Sequence, residues 1–386
     1  MRSRQSMQIP DPSRRFYPSL CITHDCNLDC VYCYQKHEAN KKMSLETAKQ
    51  CIDRVFAHVP KNLEFVELSF IGGEPLLEFE LIKNIVEYTN RKNYSTPYIF
   101  FASTNGTLLT DDMKVWISAN KEQLWLGLSL DGTKETHDHN RSNSFDQIDI
   151  SFFRQNWPDQ GVKMTLSEFS LRNLANDIKY IYSCGFSKIE GVNLYEGSFN
   201  WDKDEYIKLL IPQLTELVSF YVENDHLEPN QLMNKQIDLC ETNKERMKFC
   251  GTGESAVFFD TDGKLYPCSF ITPMTFMQNE LDDIMKIDFT NVENFIDEEC
   301  YKNCYIYSIC SFCAGTNYLL NKTFKQRNKS KCRIQKLVML FIADMKAKQI
   351  RKNPKIYDEE KLYYTIEAIK KIRSLYLNEF IIFENN

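Results

Sequence analysis

The sequence contains no run of roughly 18 or more apolar residues, which excludes a membrane-spanning helix of ordinary hydropathy. Its basic N-terminus, MRSRQSMQIPDPSRR, lacks the apolar stretch that a secretory signal requires. No low-complexity segment is present, and no internal repeat beyond a βα alternation. Positive charge is not in excess either: 47 Lys and Arg face 53 Asp and Glu, giving a net charge of −6 and a pI near 5.7. That balance argues against a protein that binds nucleic acid through its whole surface. These absences together describe a cytoplasmic protein with no nucleic acid or membrane partner.

What is present is a chain of 386 residues, 43% hydrophobic and 26% charged, ordinary values for a globular protein. Its length allows one large domain and a smaller one. Residues 15 to about 215 alternate between short apolar runs and helical patterns. Strands are predicted at Tyr17–Thr23, Phe65–Ile71, Tyr98–Ser103, Leu124–Leu130, Val162–Leu166 and Lys188–Leu194. Between them, Leu45, Ala48, Ile52, Val55 and Phe56 share one helical face behind Ser44 as N-cap. Thr110, followed by Asp111 and Asp112, opens another helix. Asn173 is expected to cap a third, which Gly185 stops.

Six β-then-α units require parallel strands with crossover helices. The expected fold class is α/β, a partial (β/α)6 TIM-like barrel, with its chemistry at the C-terminal ends of the strands. The boundaries expected are a tail at 1–15, the barrel at 16–215, linker helices at 216–249, a cysteine-rich domain at 250–340 and C-terminal helices at 341–386. In the cysteine-rich segment helix and strand signals are short, which suggests a domain organised by metal rather than by an apolar core.

Fourteen cysteines are many for such a chain. In a large protein without a signal they read as metal ligands before disulfides. Ten fall into two groups. Cys26, Cys30 and Cys33 follow the first strand at Cx3Cx2C spacing, and three thiolates on one loop can hold three corners of a [4Fe–4S] cubane. A zinc site completed by Cys21 or His24 is the alternative. The second group is Cys250, Cys268, Cys300, Cys304, Cys310, Cys313 and Cys332. Two zinc ions in a ribbon are the alternative there. Cys21, Cys51 and Cys184 read as core residues.

The segment CNLDCVYC resembles the CxxxCxΦC signature of radical S-adenosylmethionine (SAM) enzymes, with Tyr32 at the aromatic position. Gly72-Gly73-Glu74-Pro75 ends the second strand and is similar to that family's GGE motif. Ser103-Thr104-Asn105-Gly106, Leu128-Ser129-Leu130-Asp131-Gly132 and His137-Asp138-His139-Asn140-Arg141 follow in order. The resemblance covers residues 16–200. It implies a cluster on Cys26, Cys30 and Cys33 whose fourth iron is chelated by SAM, which is then cleaved to a 5′-deoxyadenosyl radical. It also implies that Tyr32 lies near the adenine, that Gly72, Gly73 and Glu74 receive the SAM amino group, and that Ser129 and Arg141 hold its carboxylate.

The seven later cysteines resemble the SPASM extension, which carries two auxiliary [4Fe–4S] clusters. The resemblance implies one cluster on Cys250, Cys268 and Cys313 and a second on Cys300, Cys304, Cys310 and Cys332. The central spacing here is Cx3Cx5Cx2C where the family has Cx2Cx5Cx3C. Cys240, ten residues before Cys250, is either the eighth ligand, closing the first auxiliary cluster, or a buried free thiol.

Enzymes of this kind modify ribosomally made peptides or proteins. The expected activity is radical SAM peptide maturation that forms an intrapeptide crosslink, thioether or carbon–carbon. The alternative is an anaerobic sulfatase-maturating enzyme, which that family equips with an acidic residue in the segment after the second auxiliary cysteine. Here Cys268 is followed by SFITPMTF, without a carboxylate until Glu280. The expected partners are a ribosomal precursor peptide and an electron donor such as flavodoxin or ferredoxin. Only 25 residues precede Cys26, short of a leader-binding domain, so a separate leader-binding protein or this chain's own surface is expected to supply recognition. The run Lys322, Lys325, Arg327, Lys329, Lys331 and Arg333 is the surface candidate, weighed against a solvated face near anionic clusters. Asp131, Glu196, Asp260 and Glu254 are the carboxylates weighed as general base, with none assigned.

Overall fold

The computed structural model describes residues 9–197 and 199–380. Most of the basic N-terminal tail and the last six residues of the expected C-terminal helices lie outside the described residues. Strands β1 (Arg15–Thr23), β2 (Phe65–Gly72), β3 (Tyr98–Thr104), β4 (Leu124–Leu128), β5 (Val162–Leu166) and β6 (Ile189–Leu194) alternate with helices. The helices are α1 (Leu45–Ala57), α2 (Phe79–Lys92), α3 (Asp111–Ala119), α4 (Lys134–Asn140), α5 (Ile150–Asn156), α6 (Leu174–Ser183) and α7 (Asp204–Glu223). All six expected strands are present within two residues of the boundaries read from the sequence. They pair in parallel in the order β4-β3-β2-β1, with β5-β6 as a second parallel pair. A bridge between Ser129 and Lys163, with Leu130 N–H donating to Lys163 O at 2.9 Å, continues the barrel from β4 to β5.

Local chemistry explains the helix starts. Ser44 and Thr110 accept from Thr47 N and Met113 N, as N-caps should. Asn173 does not cap α6. Its backbone is not extended, with ψ of 6°, and its side chain makes no capping bond. The free N–H of Ala175 is satisfied instead by Gln213 Oε1 of α7, 2.9 Å away. Gly185, at φ of +90°, ends α6 as expected.

The C-terminal half begins with a one-turn helix α8 (Leu239–Thr242), followed by a hairpin of β7 (Ala256–Phe259) and β8 (Leu265–Tyr266). β7 pairs in parallel with β1, so the hairpin extends the barrel's own sheet and covers what would be its open edge. Short helices α9 (Gln278–Ile284), α10 (Glu298–Asn303) and α11 (Ala314–Asn321) follow. Then come two long ones, α12 (Cys332–Lys352) and α13 (Glu359–Phe380), which pack on each other, and α12 also on α7.

One expectation needs correcting here. The cysteine-rich domain has its own apolar core, built from Phe258, Phe270, Phe276, Phe289, Phe295 and Phe324 with Ile271, Met274, Leu281 and Ile284. Aromatic rings scattered through short elements supply it without any helical or strand period. Cys21 and Cys51 are buried as expected, and Cys184 is half-buried. Among the described residues no helix is long and apolar enough to cross a membrane.

Past the end of β4, Gly132 adopts φ of +105°, and a Cβ there would meet Asp177 at 2.2 Å. Asp177 Oδ1 accepts from Thr133 N–H at 2.9 Å and Thr133 Oγ1 at 2.7 Å, fixing this turn to α6. Burial pushes the Asp177 carboxyl up to about 6. The folded state therefore binds this proton more tightly than the unfolded chain, so its contribution to stability falls as pH rises from about 4 to about 6. Asp177→Asn keeps an acceptor for Thr133 and cannot ionise. Its melting temperature relative to wild type should climb between pH 4.5 and pH 7.5, and a pH-independent difference in thermal melts would contradict this.

Candidate active site

The loop after β1 carries Cys26, Cys30 and Cys33 at the C-terminal end of the barrel. On one side it is pinned by β2: Gly73 N–H donates to Thr23 O at 3.0 Å and Glu74 N–H to Asp25 O at 2.9 Å. A Cβ on Gly72 would lie 2.1 Å from Thr23 O, and one on Gly73 would lie 2.2 Å from Asp25 O. Sequence reasoning assigns these glycines to the close approach of a ligand. The structure adds a prior demand, contact with the loop's own backbone.

On the other side His24, fully buried, places Nε2 2.6 Å from Asp260 Oδ1 on the β7–β8 hairpin. Cys21 Sγ completes a group of three ligand atoms within 4.8 Å of one another. Two ligands on a tetrahedral zinc, with bonds of about 2.0–2.1 Å, stand roughly 3.3 Å apart. A separation of 2.6 Å is a hydrogen bond with no room for an ion on both atoms. His24 Nε2 is thereby committed to Asp260. His37 Nδ1–H donates to His24 O at 3.0 Å and places Nε2 3.4 Å from Cys33 Sγ.

Burial pushes the Cys26 thiol up to about 12 and raises Cys30 and Cys33, while the Arg141 guanidinium pulls the last two back. Three protonated thiols on one loop are what iron binding would deprotonate. Glu74 is buried and accepts from Leu76 N at 3.0 Å, Thr104 Oγ1 at 2.8 Å and Asn105 N at 2.8 Å. Burial nevertheless pushes its carboxyl up to about 7, so a cation brought beside it would be needed to keep it ionised.

Sequence reasoning missed the hub of this site. Asp131, weighed as a general base, is the shared acceptor of Tyr32 OH, Arg141 Nε (3.0 Å), Arg141 Nη2 (3.3 Å), Asn140 Nδ2 (3.2 Å) and Thr165 N (3.0 Å). A carboxylate holding five donors is a positioning group, not a free base. It orients Arg141, whose guanidinium stands 5.3 Å from the Tyr32 ring centroid, and leaves it further donors for a ligand carboxylate. Burial pushes His137 down to about 4, so the ring is neutral. Its Nδ1 accepts from Asp131 N at 3.3 Å and its Nε2–H donates to Ser144 Oγ at 3.1 Å. Ser129, half-buried at the end of β4, is tied through its N–H to Thr104 O at 2.9 Å. Gly73 and Glu74 thus bond to the Cys26 loop, and Tyr32 of that loop shares Asp131 with Arg141.

The second group converges as well. Cys250, Cys268, Cys300, Cys304, Cys310, Cys313 and Cys332 all line one cavity of about 530 Å³, as do Tyr34 and Glu196. Electrostatic proximity divides them. The thiol of Cys268 feels Cys250, and that of Cys313 feels Cys268. Cys310 feels Cys304, Cys332 and Cys300, and Cys332 feels Cys300 and Cys304. The resemblance implies a group of three, Cys250, Cys268 and Cys313, and a group of four, Cys300, Cys304, Cys310 and Cys332, and these neighbours are compatible with it. Arg327, buried against the cavity, has Nε and Nη2 without a protein acceptor. Unspent donors of a fixed cation, facing seven thiols, fit anionic iron–sulfur clusters better than an empty apolar pocket.

Cys240 is not among the lining residues. It is buried in α8, and its thiol is pushed up to about 12 by burial, with Cys304 among its neighbours. Of the carboxylates weighed as base, Asp260 is bound to His24 and Glu254 pairs with Lys248, whereas Glu196 lines the cavity and pairs with Lys331 at 2.6 Å. Most of the basic run is already engaged. Lys322 pairs with Glu280, Lys329 with Asp297 and Glu299, Lys331 with Glu196, Arg333 with Asp202 and Asp204, and Arg327 is enclosed by rings.

Residues 20–150 match the model of the radical SAM superfamily. That superfamily uses a [4Fe–4S] cluster and SAM. It is similar to a cysteine-type anaerobic sulfatase-maturating enzyme of Clostridium perfringens, 26% identical over 74% of this chain and 84% of that one. It is also similar to the radical SAM cyclopropyl synthase TigE of Paramaledivibacter caminithermalis, 23% identical over 83% of this chain and 72% of that one. The fold is shared with anSMEcpe bound to AdoMet, with a TM-score of 0.67 at 21% identity over 91% of this chain and 98% of that one. Streptococcus suis SuiB bound to the precursor peptide SuiA shares it too, at TM-score 0.56 and 15% identity, over 82% and 76% of the two chains.

Cys26, Cys30 and Cys33 replaced together by Ala should leave about eight irons per chain after anaerobic reconstitution, the content of two clusters. Adding Cys300→Ala and Cys304→Ala should remove about four of these. Cys240→Ala should leave the iron content of the wild-type chain unchanged, and a loss of iron there would make Cys240 a ligand.

Proposed function

We propose that the chain is a peptide maturase that removes hydrogen from a residue of a ribosomally made peptide and closes an intrapeptide crosslink, thioether or carbon–carbon. When bound, SAM and its cluster supply the 5′-deoxyadenosyl radical that takes the hydrogen atom. The residues of this chain do the rest. Asp131 sets the angle of Arg141, Glu74 and the strand ends shape the SAM cradle, and Tyr32 walls it. The reading is carried by one observation: the seven auxiliary cysteines line a single cavity, whose wall includes Tyr34, one residue from Cys33. Crosslinking is a net oxidation, and a cavity of that construction offers the departing electrons a place to go. Cytoplasmic location and an electron donor of the flavodoxin or ferredoxin type accompany the reading.

Sulfatase maturation is the second reading, favoured by what the Clostridium relative is named for. Two observations weigh against it. Ser269 stands directly after Cys268, and the Tyr34 hydroxyl is bonded to it. Glu280, the first carboxylate beyond, is used in capping α9 through Met277 N at 3.0 Å and in pairing with Lys322 at 2.7 Å.

With most of the basic run engaged by carboxylates, that run offers little to an acidic leader, which favours a separate leader-binding partner. Co-expression with short peptides encoded beside the gene, followed by mass spectrometry, should show a peptide lighter by two hydrogens. A sulfatase serine or cysteine turned into an aldehyde, with every peptide unchanged, would replace the first reading by the second.

A further inference from the structure

The two auxiliary cysteine groups share a cavity but not an electrostatic environment. Around Cys300, Cys304, Cys310 and Cys332 the structure gathers positive charge. Lys329 Nζ donates to Cys300 Sγ at 2.9 Å. Arg327 is buried in a box of rings, 4.2 Å from the Tyr307 centroid, 4.3 Å from Phe312 and 4.8 Å from Phe249. Its Nη1 donates to Cys310 O at 3.3 Å, and its Nε and Nη2 have no protein acceptor. Lys235 lines the cavity, and burial pushes its ammonium down while Cys310 draws it back up. Cys332 is the first residue of the 21-residue helix α12, at the positive end of its dipole.

The opposing charges there are Asp297 and Glu299, each 3.3 Å from Lys329 Nζ, and Glu379, which takes up Lys336. Asp297 is further drawn off by the N–H groups of Cys300 and Arg327, at 3.0 and 2.9 Å. Around Cys250, Cys268 and Cys313 the balance is reversed. Glu196 lines the cavity with Cys313, and the cations on this side are each taken up by a carboxylate, Lys331 by Glu196 at 2.6 Å and Lys248 by Glu254 at 2.6 Å.

The potential of an iron–sulfur cluster rises with nearby positive charge and with hydrogen bonds donated to its sulfurs, because both favour the form carrying the extra electron. We propose that Lys329 and Arg327 hold the cluster of Cys300, Cys304, Cys310 and Cys332 at a higher reduction potential than the cluster of Cys250, Cys268 and Cys313. The four-cysteine site is then the electron sink of the chain. With both clusters bound, an electron shared between the two sites would favour the four-cysteine one. Lys329 and Arg327 act through the cluster as positioning and tuning residues and touch no substrate. The inference rests on the reading of two auxiliary clusters, but not on the nature of the substrate.

The test uses full-length chain with Cys26, Cys30 and Cys33 replaced by Ala, so that only the auxiliary clusters remain, reconstituted anaerobically and titrated potentiometrically with EPR detection. Two reduction waves are expected. Lys329→Met should lower the more positive wave and leave the other in place, whereas Lys329→Arg, which keeps charge and donor, should hold it. Glu196→Gln should raise the more negative wave and bring the two together. If Lys329→Met loses iron, Lys329→Gln is titrated instead, with the same downward shift expected. An unmoved upper wave, or movement of the lower wave alone, overturns the proposal. Fewer than about eight irons per chain in the parent background overturns it together with the cluster reading beneath it. Peptide-processing activity enters neither outcome, so a failed crosslinking assay leaves the potentials to be judged by themselves.

Discussion

Backbone contact between the end of β2 and the loop after β1 is the constraint from which the site follows. Gly72 and Gly73 carry no Cβ, and the peptides of Thr23 and Asp25 occupy the space that one would need. Two backbone hydrogen bonds then lock the loop to the strand end. Cys26, Cys30 and Cys33 have their positions because of that lock, and Glu74 is swung inward to meet Thr104 and Asn105 because its own N–H is held by Asp25. Any residue larger than glycine would move the loop, and every thiol with it.

Buried charge is organised around acceptors rather than left in pairs. Asp131 collects donors from the Cys26 loop, α4 and β5, and so fastens three parts of the barrel mouth to one carboxylate. A guanidinium in bidentate contact compensates the charge of a carboxylate at that depth. Asp260 does the corresponding work from the C-terminal half, through His24. The Cys26 loop is therefore held by β2 on one side and by the β7–β8 hairpin on the other.

Much of this was legible in the residues. Parallel strands covered on both faces read as apolar runs, so β1 to β6 were visible, and Ser44 and Thr110 declared two helix starts because their capping bonds are local. What depended on distant partners was not visible. Gln213 replaced Asn173 as the group satisfying α6, from 38 residues away. The basic run from Lys322 to Arg333 looked like a surface strip because Asp202, Asp204 and Glu196 lie far off in sequence. Cys240 is close to Cys250 along the chain, yet Cys250 lines the cavity and Cys240 does not. The four-residue strand β7 gave no period to detect, and the roles of Asp131 and Asp260 follow no pattern at all.

The pairing of β7 with β1 has a bearing on how such chains can be recombined. The hairpin belongs in space to the barrel and in sequence to the cysteine-rich half, so a splice made between them near residue 250 would graft a foreign strand onto β1. A chimera that exchanges auxiliary modules between relatives would need to carry its own β1 or keep this hairpin. The two halves are inherited as one sheet.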